Sequence, residues 1–411
     1  MTQTSKRNIL LVTLLLAIVT IPLKNNWNSI AIVLFCCSTA IQLPLKQRIE
    51  KLRKDHLWKV GALFFLWMAA TWFWDSSGGF SIKHLEPAAC FLFLPMALSL
   101  MPKLSSKQVM IACYAFIMAI IAVCLLCLAK SFIEYRQTHD YRVFFYHYLG
   151  YQMGLNAIYL SNYCIACITW LLYSRFIHKG EDIVKPGLFI TLLACSFLFG
   201  MMFLLSSKMS LGLLILLILF MALYIGYKKQ ALLKALGLFA LCIATAWILA
   251  QNLGYLKWRI ASTEWKTYSG AADNNNGLSL RRTTWTSALE LIKEKPLLGY
   301  GLRGANEALV EKYKEKKFEM GIPEKYNAHN QFLETTLKSG LIGLALLLLV
   351  IGIPFIGAIR QGKFLLTMMI IHFLLVSMVE GTLEIQQEFI FYLFFIFFFH
   401  YHYPRDFKNA A

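Results

Sequence analysis

Apolar runs of fifteen to twenty-five residues recur from one end of this 411-residue chain to the other. Nothing else constrains the fold as strongly, because runs of that length and number can be neither solvated nor gathered into one soluble core. They read as transmembrane helices, each needing about 20 apolar residues to cross a hydrocarbon layer of about 30 Å. About twelve are expected, near 8–23, 27–45, 57–75, 85–101, 108–131, 155–174, 186–205, 209–227, 231–251, 339–359, 363–380 and 387–403. Lipid offers the backbone no hydrogen bonds, so the expected fold class is an all-α polytopic membrane protein. Residues 1–251 would hold the first nine helices, 252–338 one large, partly helical polar loop, and 339–411 the last three helices and a short tail.

The net charge of +18 would suggest nucleic acid in a soluble protein, but topology explains it better here. With the N-terminus cytoplasmic, segments on that side carry twenty Lys/Arg, against six on the short opposite turns at Lys24, Lys83, Lys130, Arg136, Arg142 and Lys208. That is the positive-inside asymmetry; it puts both termini in the cytoplasm and the large loop outside. The loop's own 14 Lys/Arg and 10 Asp/Glu weigh little, because long loops translocate largely regardless of charge. Lys6 and Arg7 precede the first run as in a secretory signal, yet no small-residue cleavage pattern follows, so a retained anchor is expected. All ten cysteines fall inside or at the edge of apolar runs, which excludes disulfides and thiolate metal sites from the loop. No phosphate-binding Gly loop, zinc-type spacing or internal repeat occurs. No metal or cofactor is expected, and any substrate must arrive already activated.

Within the loop, Leu280, Arg281, Trp285, Ala288, Leu289 and Ile292 have helical spacing from Ser279 onward, and Pro296, Gly299 and Gly301 stop the pattern. Arg281 and Trp285 share a face, and Arg282 points about 100° away. A flexible turn, Asp273 to Gly277, precedes this helix. A second helical piece, roughly Ala305 to Met320, is rich in Lys and Glu and reads as a solvated, membrane-surface or lid helix. His329 stands at the start of a helix that runs through Phe332, Leu333 and Leu337 into the next apolar run, with Asn327 as candidate N-cap. The dipole there disfavours an imidazolium and leaves a ring able to accept a proton. Gly340 and Gly343 would let a neighbouring helix come close and so aim His329.

Three further groups stand out. A lysine at the bilayer centre costs about 2.5–3.5 kcal/mol, so Lys208, within Ser206–Ser210, belongs at an external turn. Arg142 sits among interfacial aromatics between Phe132 and Tyr148, where it is a candidate third cation. Glu380 and Glu384, near the outer end of the eleventh run, read as a structural ion pair with a loop cation.

Two segments together resemble the O-antigen ligase family of polytopic glycosyltransferases. One is Arg281-x3-Trp285-x2-Ala288-x7-Pro296-x2-Gly299-x-Gly301; the other is His329-Asn330, nine residues, Gly340, two residues, Gly343. The resemblance implies transfer of a glycan from undecaprenyl pyrophosphate to a hydroxyl of lipid A–core oligosaccharide, on the periplasmic side of the bacterial inner membrane, without metal or ATP. It implies His329 as general base and Arg281 as main pyrophosphate clamp, with Arg282, Asn330, Lys208 and Arg142 as further substrate contacts. Family members usually carry arginine where Lys208 stands; the charge is kept here and the fork is lost. Polymerases and protein O-oligosaccharyltransferases share these motifs, and the single large loop favours the ligase. A flippase or exporter would place charges within many spans or repeat its halves; here they sit at span ends and in loops.

Overall fold

The computed structural model describes residues 2–23, 25–75, 77, 82–178, 185–228, 233, 237 and 277–402. The expected ninth helix near 231–251, Lys24, Cys242, the turn residues 273–276 and the tail 404–411 lie outside the described residues. Among the described residues the regular structure is helical and no strand occurs. In chain order the helices are α1 (Gln3–Val19), α2 (Asn25–Ala40), α3 (Leu45–Lys54), α4 (His56–Ala70), α5 (Ile82–Leu100), α6 (Ser106–Thr138), α7 (Tyr146–Tyr151) and α8 (Ala157–Leu172). They continue with α9 (Leu188–Leu205), α10 (Lys208–Lys228), α11 (Gly277–Glu294), α12 (Gly304–Glu315), α13 (Gln331–Gln361), α14 (Phe364–Ser377) and α15 (Gln386–His402).

Among the described residues, five stretches are long and apolar enough to cross a membrane: His56–Trp74, Ser106–Thr138, Ala157–Ile177, Leu188–Leu205 and Gln331–Gln361. The bent pair α2–α3 makes a sixth if counted as one span, and Lys208–Tyr224 and Phe364–Ser377 are shorter apolar helices. This is a helical membrane protein. The expected runs near 8–23, 85–101 and 387–403 are also helices, α1, α5 and α15. At 33 residues, α6 is about 50 Å long and overshoots a hydrocarbon core of about 30 Å.

Local chemistry marks the helix ends. Asp55 accepts from the Trp58 N–H at 3.0 Å and so separates α4 from α3. Ser105 and Gln108 form a capping box ahead of α6, and Asn156 accepts from the Ile158 N–H at 2.9 Å ahead of α8. His139 and Ser206, at φ 52° and 46°, take the left-handed conformation that ends α6 and α9.

The chain divides into two compact units, 1–7 with 36–103 and 263–403, and 8–35 with 104–262 and 404–411. In the first, α15 is buried on every side from Phe389 to Phe399, as expected of a helix that is apolar all round. Helices α5 and α14 pack on it, and α4 packs on α5 and α13. In the second, α8 is buried along nearly its whole length, and α6, α9 and α10 pack against it. Its small residues Ser161, Cys164, Ala166 and Cys167 suit such close neighbours.

The polar segment has a small core of its own inside the first unit. Ala288 and Leu291 of α11 meet Ala305, Leu309 and Tyr313 of α12 together with Tyr300, Phe318, Ala328 and Leu337. One face of α12 is therefore buried, and the helix is not solvated all round. It is also shorter than the expected Ala305–Met320, because Lys317 turns left-handed at φ 54° and a 3-10 turn, Glu319–Gly321, follows.

Candidate functional site

The two motif segments lock together through their backbones. Gly340 interrupts α13 at φ 68° and ψ −174°, a conformation that favours glycine. The break leaves the carbonyls of residues 337–339 without their usual helical partners. The N–H groups of Tyr300 and Gly301 donate to Leu337 and Lys338 at 2.7 and 3.0 Å, and Trp67 Nε1–H donates to Ser339 at 2.9 Å. Leu341 N–H in turn donates to the Pro296 carbonyl at 2.8 Å. A Cβ at Gly340 would stand 1.8 Å from the Leu297 carbonyl oxygen, and one at Gly299 would stand 2.4 Å from that of Leu337. The expected close approach to Gly340 is real, but a loop makes it and not a helix.

This interlock holds α11 against the turn that carries His329. Trp285 Nε1–H donates to the His329 carbonyl at 3.2 Å, and the Thr284 hydroxyl donates to that of Ala328 at 3.3 Å. His329 has φ 45°, unusual for a residue with a side chain and a form of strain that clusters at functional sites. Its N–H donates to Asn327 Oδ1 at 2.9 Å. Asn327 is therefore not the helix cap: with His329 left-handed, the helix cannot begin until Gln331, and Asn330 caps it. Asn330 Oδ1 accepts from the N–H groups of Phe332 and Leu333 at 3.0 and 3.1 Å, while its amide donates to the Met378 carbonyl at 2.9 Å.

The segment just past α14 completes the group. Arg281 Nε–H donates to the Val379 carbonyl at 2.9 Å, and its Nη2 forms an ion pair with Glu380 Oε1. The other carboxylate oxygen of Glu380 lies 3.3 Å from His329 Nδ1. Burial works against this carboxylate, but the His329 ring and the Arg281 guanidinium outweigh it and hold its pKa below the usual range. His329 Nε2 is buried and meets no hydrogen-bond partner among the described residues. The Tyr326 ring packs edge-on at 5.6 Å between centroids. A carboxylate on Nδ1 fixes the tautomer that keeps the proton there and leaves Nε2 as acceptor, the arrangement a general base requires.

The structure thus brings Arg281, His329 and Asn330 together, with Arg282 exposed on the next face of α11. Arg142 and Lys208 belong to the second unit. Arg142 lies in a 3-10 turn, Tyr141–Phe144, where its exposed guanidinium pairs with Asp140 at 2.8 Å. Lys208 is the exposed first residue of α10, two residues after the left-handed Ser206. Glu380 does pair with a loop cation, Arg281, but its contact with His329 was not foreseen. The available signal was a carboxylate at a span end in a chain that has a candidate base. Among the described residues no group of three His, Cys, Asp or Glu could hold a metal ion.

Fold and site define a helical membrane protein that sets an imidazole, a carboxylate and a guanidinium together where a polar segment meets apolar helices. Residues 191–348 match the model of a family described as O-Antigen ligase. The matched range contains both motif segments. An uncharacterized protein of Haemophilus influenzae is 25% identical over 362 residues, 86% of this chain and 85% of its own. The exopolysaccharide production protein ExoQ of Rhizobium meliloti is 33% identical over 97 residues, 22% of each chain.

Proposed function

We propose that the protein transfers a glycan from undecaprenyl pyrophosphate to a hydroxyl of lipid A–core oligosaccharide, at the periplasmic face of the inner membrane. The proposed frame has about twelve spans, cytoplasmic termini and 252–338 as the periplasmic loop. The observation that carries the reading is His329: its Nδ1 is held by Glu380, while its Nε2 is buried and meets no partner among the described residues. As the acceptor oxygen bonds to the anomeric carbon, the bond from that carbon to the pyrophosphate oxygen breaks, and the acceptor's proton passes to Nε2. A base so placed is worth about 10²–10⁴ in rate.

The leaving pyrophosphate gathers charge that cations must meet, and arginine forks match its oxygens. Arg281 is the proposed main contact; Glu380 and the Val379 carbonyl hold it in one orientation. Arg282, Lys208 and Arg142 are the proposed further cations. Asn330 enters as a positioning residue, since its side chain caps α13 and ties it to Met378. ExoQ's role in exopolysaccharide production favours one alternative: a polymerase that uses the same donor and a second lipid-linked chain as acceptor.

The test is reconstitution of the full-length protein with the lipid-linked donor, with chelator and without nucleotide, offering lipid A–core, a lipid-linked glycan or a Ser/Thr-rich protein in separate vesicles. Glycan on lipid A–core is the expected product. Glycan only on the second lipid-linked chain would replace the ligase with the polymerase, and glycan only on protein would replace it with an oligosaccharyltransferase.

A further inference from the structure

Gln331, Thr335 and Lys338, spaced along one face of α13, line a cavity of about 280 Å³ whose walls do not include His329, Glu380 or Arg281. Its apolar side is formed by Phe64 and Met68 of α4, Phe91 of α5, and Leu302. The polar side is mixed in kind. His84 Nδ1 and Asn306 Oδ1 are buried with no hydrogen-bond partner among the described residues, although both side chains line the cavity. Buried polar groups are normally satisfied, and two residues of this one wall each keep an unmet polar atom, so the protein alone does not answer the polar side of the cavity. Lys338 and Glu384 stand in the same wall as an ion pair, with Glu334 as a second carboxylate on the lysine.

The chemistry of these walls selects the occupant. A phosphate would meet the Glu384 carboxylate, and of the two lysines in the wall, Lys83 and Lys338, the second is already neutralised by two acids. A lipid tail would leave the amide and imidazole unmet and has too little room, since the volume lies just below the ~300–1,000 Å³ of small-molecule pockets. A sugar ring has an apolar C–H face and hydroxyls that both donate and accept, which matches a wall of each kind. The chain also connects the cavity to the base. Glu380 holds His329, and a few residues on, Leu383 and Glu384 line the cavity, with Leu383 N–H donating to Gln331 Oε1 at 2.7 Å.

We propose that this cavity is a saccharide subsite that seats one neutral sugar ring of a glycan substrate, its C–H face toward Phe64, Met68 and Phe91 and its hydroxyls on His84, Asn306 and the Lys338–Glu384 pair. The inference rests on the transfer reading only for the source of the sugar. Saturation-transfer NMR on the full-length protein in nanodiscs tests it, with methyl α-glucoside, methyl α-galactoside and N-acetylglucosamine as probes and inorganic pyrophosphate as competitor. At least one sugar should receive saturation in the wild type and equally in His329→Ala. Losing one hydrogen bond in Asn306→Ala should weaken binding by about fivefold, and Ala88→Phe, which fills the space from α5, should abolish it. No saturation of any sugar, an unchanged signal in Asn306→Ala or in an Ala88→Phe variant of normal melting temperature, or displacement by pyrophosphate would each overturn the subsite. Because binding is read without turnover, a failed subsite leaves the transfer reading intact, and a protein that binds sugar but transfers none refutes that reading alone.

Discussion

Two charged clusters share the start of α13 and the segment after α14, yet they are built to different ends. At one, Lys338 is almost fully buried between Glu334 and Glu384, so that its charge is answered twice. At the other, Glu380 divides its carboxylate between Arg281 and His329, and the far nitrogen of the imidazole meets no hydrogen-bond partner among the described residues. The backbones differ in the same sense. Lys338 keeps helical backbone angles two residues before the break at Gly340, whereas His329 is left-handed, with Asn327 and Trp285 bonded to its backbone. A cluster of paired charges contributes to holding the elements together; a strained one is maintained by its surroundings and is available to a substrate.

The comparison is broken or upheld most sharply by changing one residue in each cluster. His329→Ala should lower turnover by about 10²–10⁴, with a melting temperature near that of the wild type. Lys338→Met should do the reverse in kind: it leaves two buried carboxylates without their cation and should cost about 3–5 kcal/mol of stability, read as a lowered melting temperature in detergent. If His329→Ala transfers glycan normally, or if Lys338→Met is as stable as the wild type, the division into a reactive and a structural cluster is wrong.

Much of this was legible in residue order, and what was not has a physical reason. Helical periodicity from Leu280 to Ile292 placed α11 and put Arg281 and Trp285 on one face; Trp285 reaches the His329 turn and Arg281 the segment after α14. Periodicity reports one element at a time, however. It could not show that Glu380, 51 residues after His329, bonds its ring, because that contact depends on how α13 and α14 return the chain. Asn327 and Asn330 are chemically alike as caps, and the choice between them was made by the left-handed turn at His329, which nothing in the local pattern announces. The glycines Gly299, Gly301 and Gly340 were visible as a stop and as a close approach, while their mutual docking required the backbone.

A smaller effect sharpens how the reactive cluster works. Glu380→Gln removes the charge that answers both Arg281 and the His329 ring but nearly preserves shape. Losing a charge-assisted hydrogen bond, about 1.5–3 kcal/mol, corresponds to about 10- to 100-fold in rate. The loss should fall on kcat, with the KM for donor little changed and partial recovery in Glu380→Asp. A variant that loses only stability and keeps kcat would make Glu380 a structural partner, as Glu384 is.

The smallest effect concerns how the polar segment is tied to the first unit's apolar helices. Asp75 accepts from the N–H groups of Arg303 and Gly304 at 2.8 and 3.0 Å, so a carboxylate from the end of the α4 segment caps α12 from outside that helix. Partial burial acts against its charge, but the Ser77 hydroxyl and these N–H groups outweigh burial and lower its pKa below the ordinary carboxylate value. A lowered folded-state pKa means the cap is fully present above the unfolded value of about 3.9 and is lost only as pH falls through the folded one. Asp75→Asn should therefore cost about 0.5–1 kcal/mol at neutral pH, seen as faster amide exchange at Arg303 and Gly304. In the wild type the same exchange should stay flat from pH 7 to 5 once the intrinsic rate is removed. Faster corrected exchange already at pH 5 would mean that another group, and not this carboxylate, holds α12 in place.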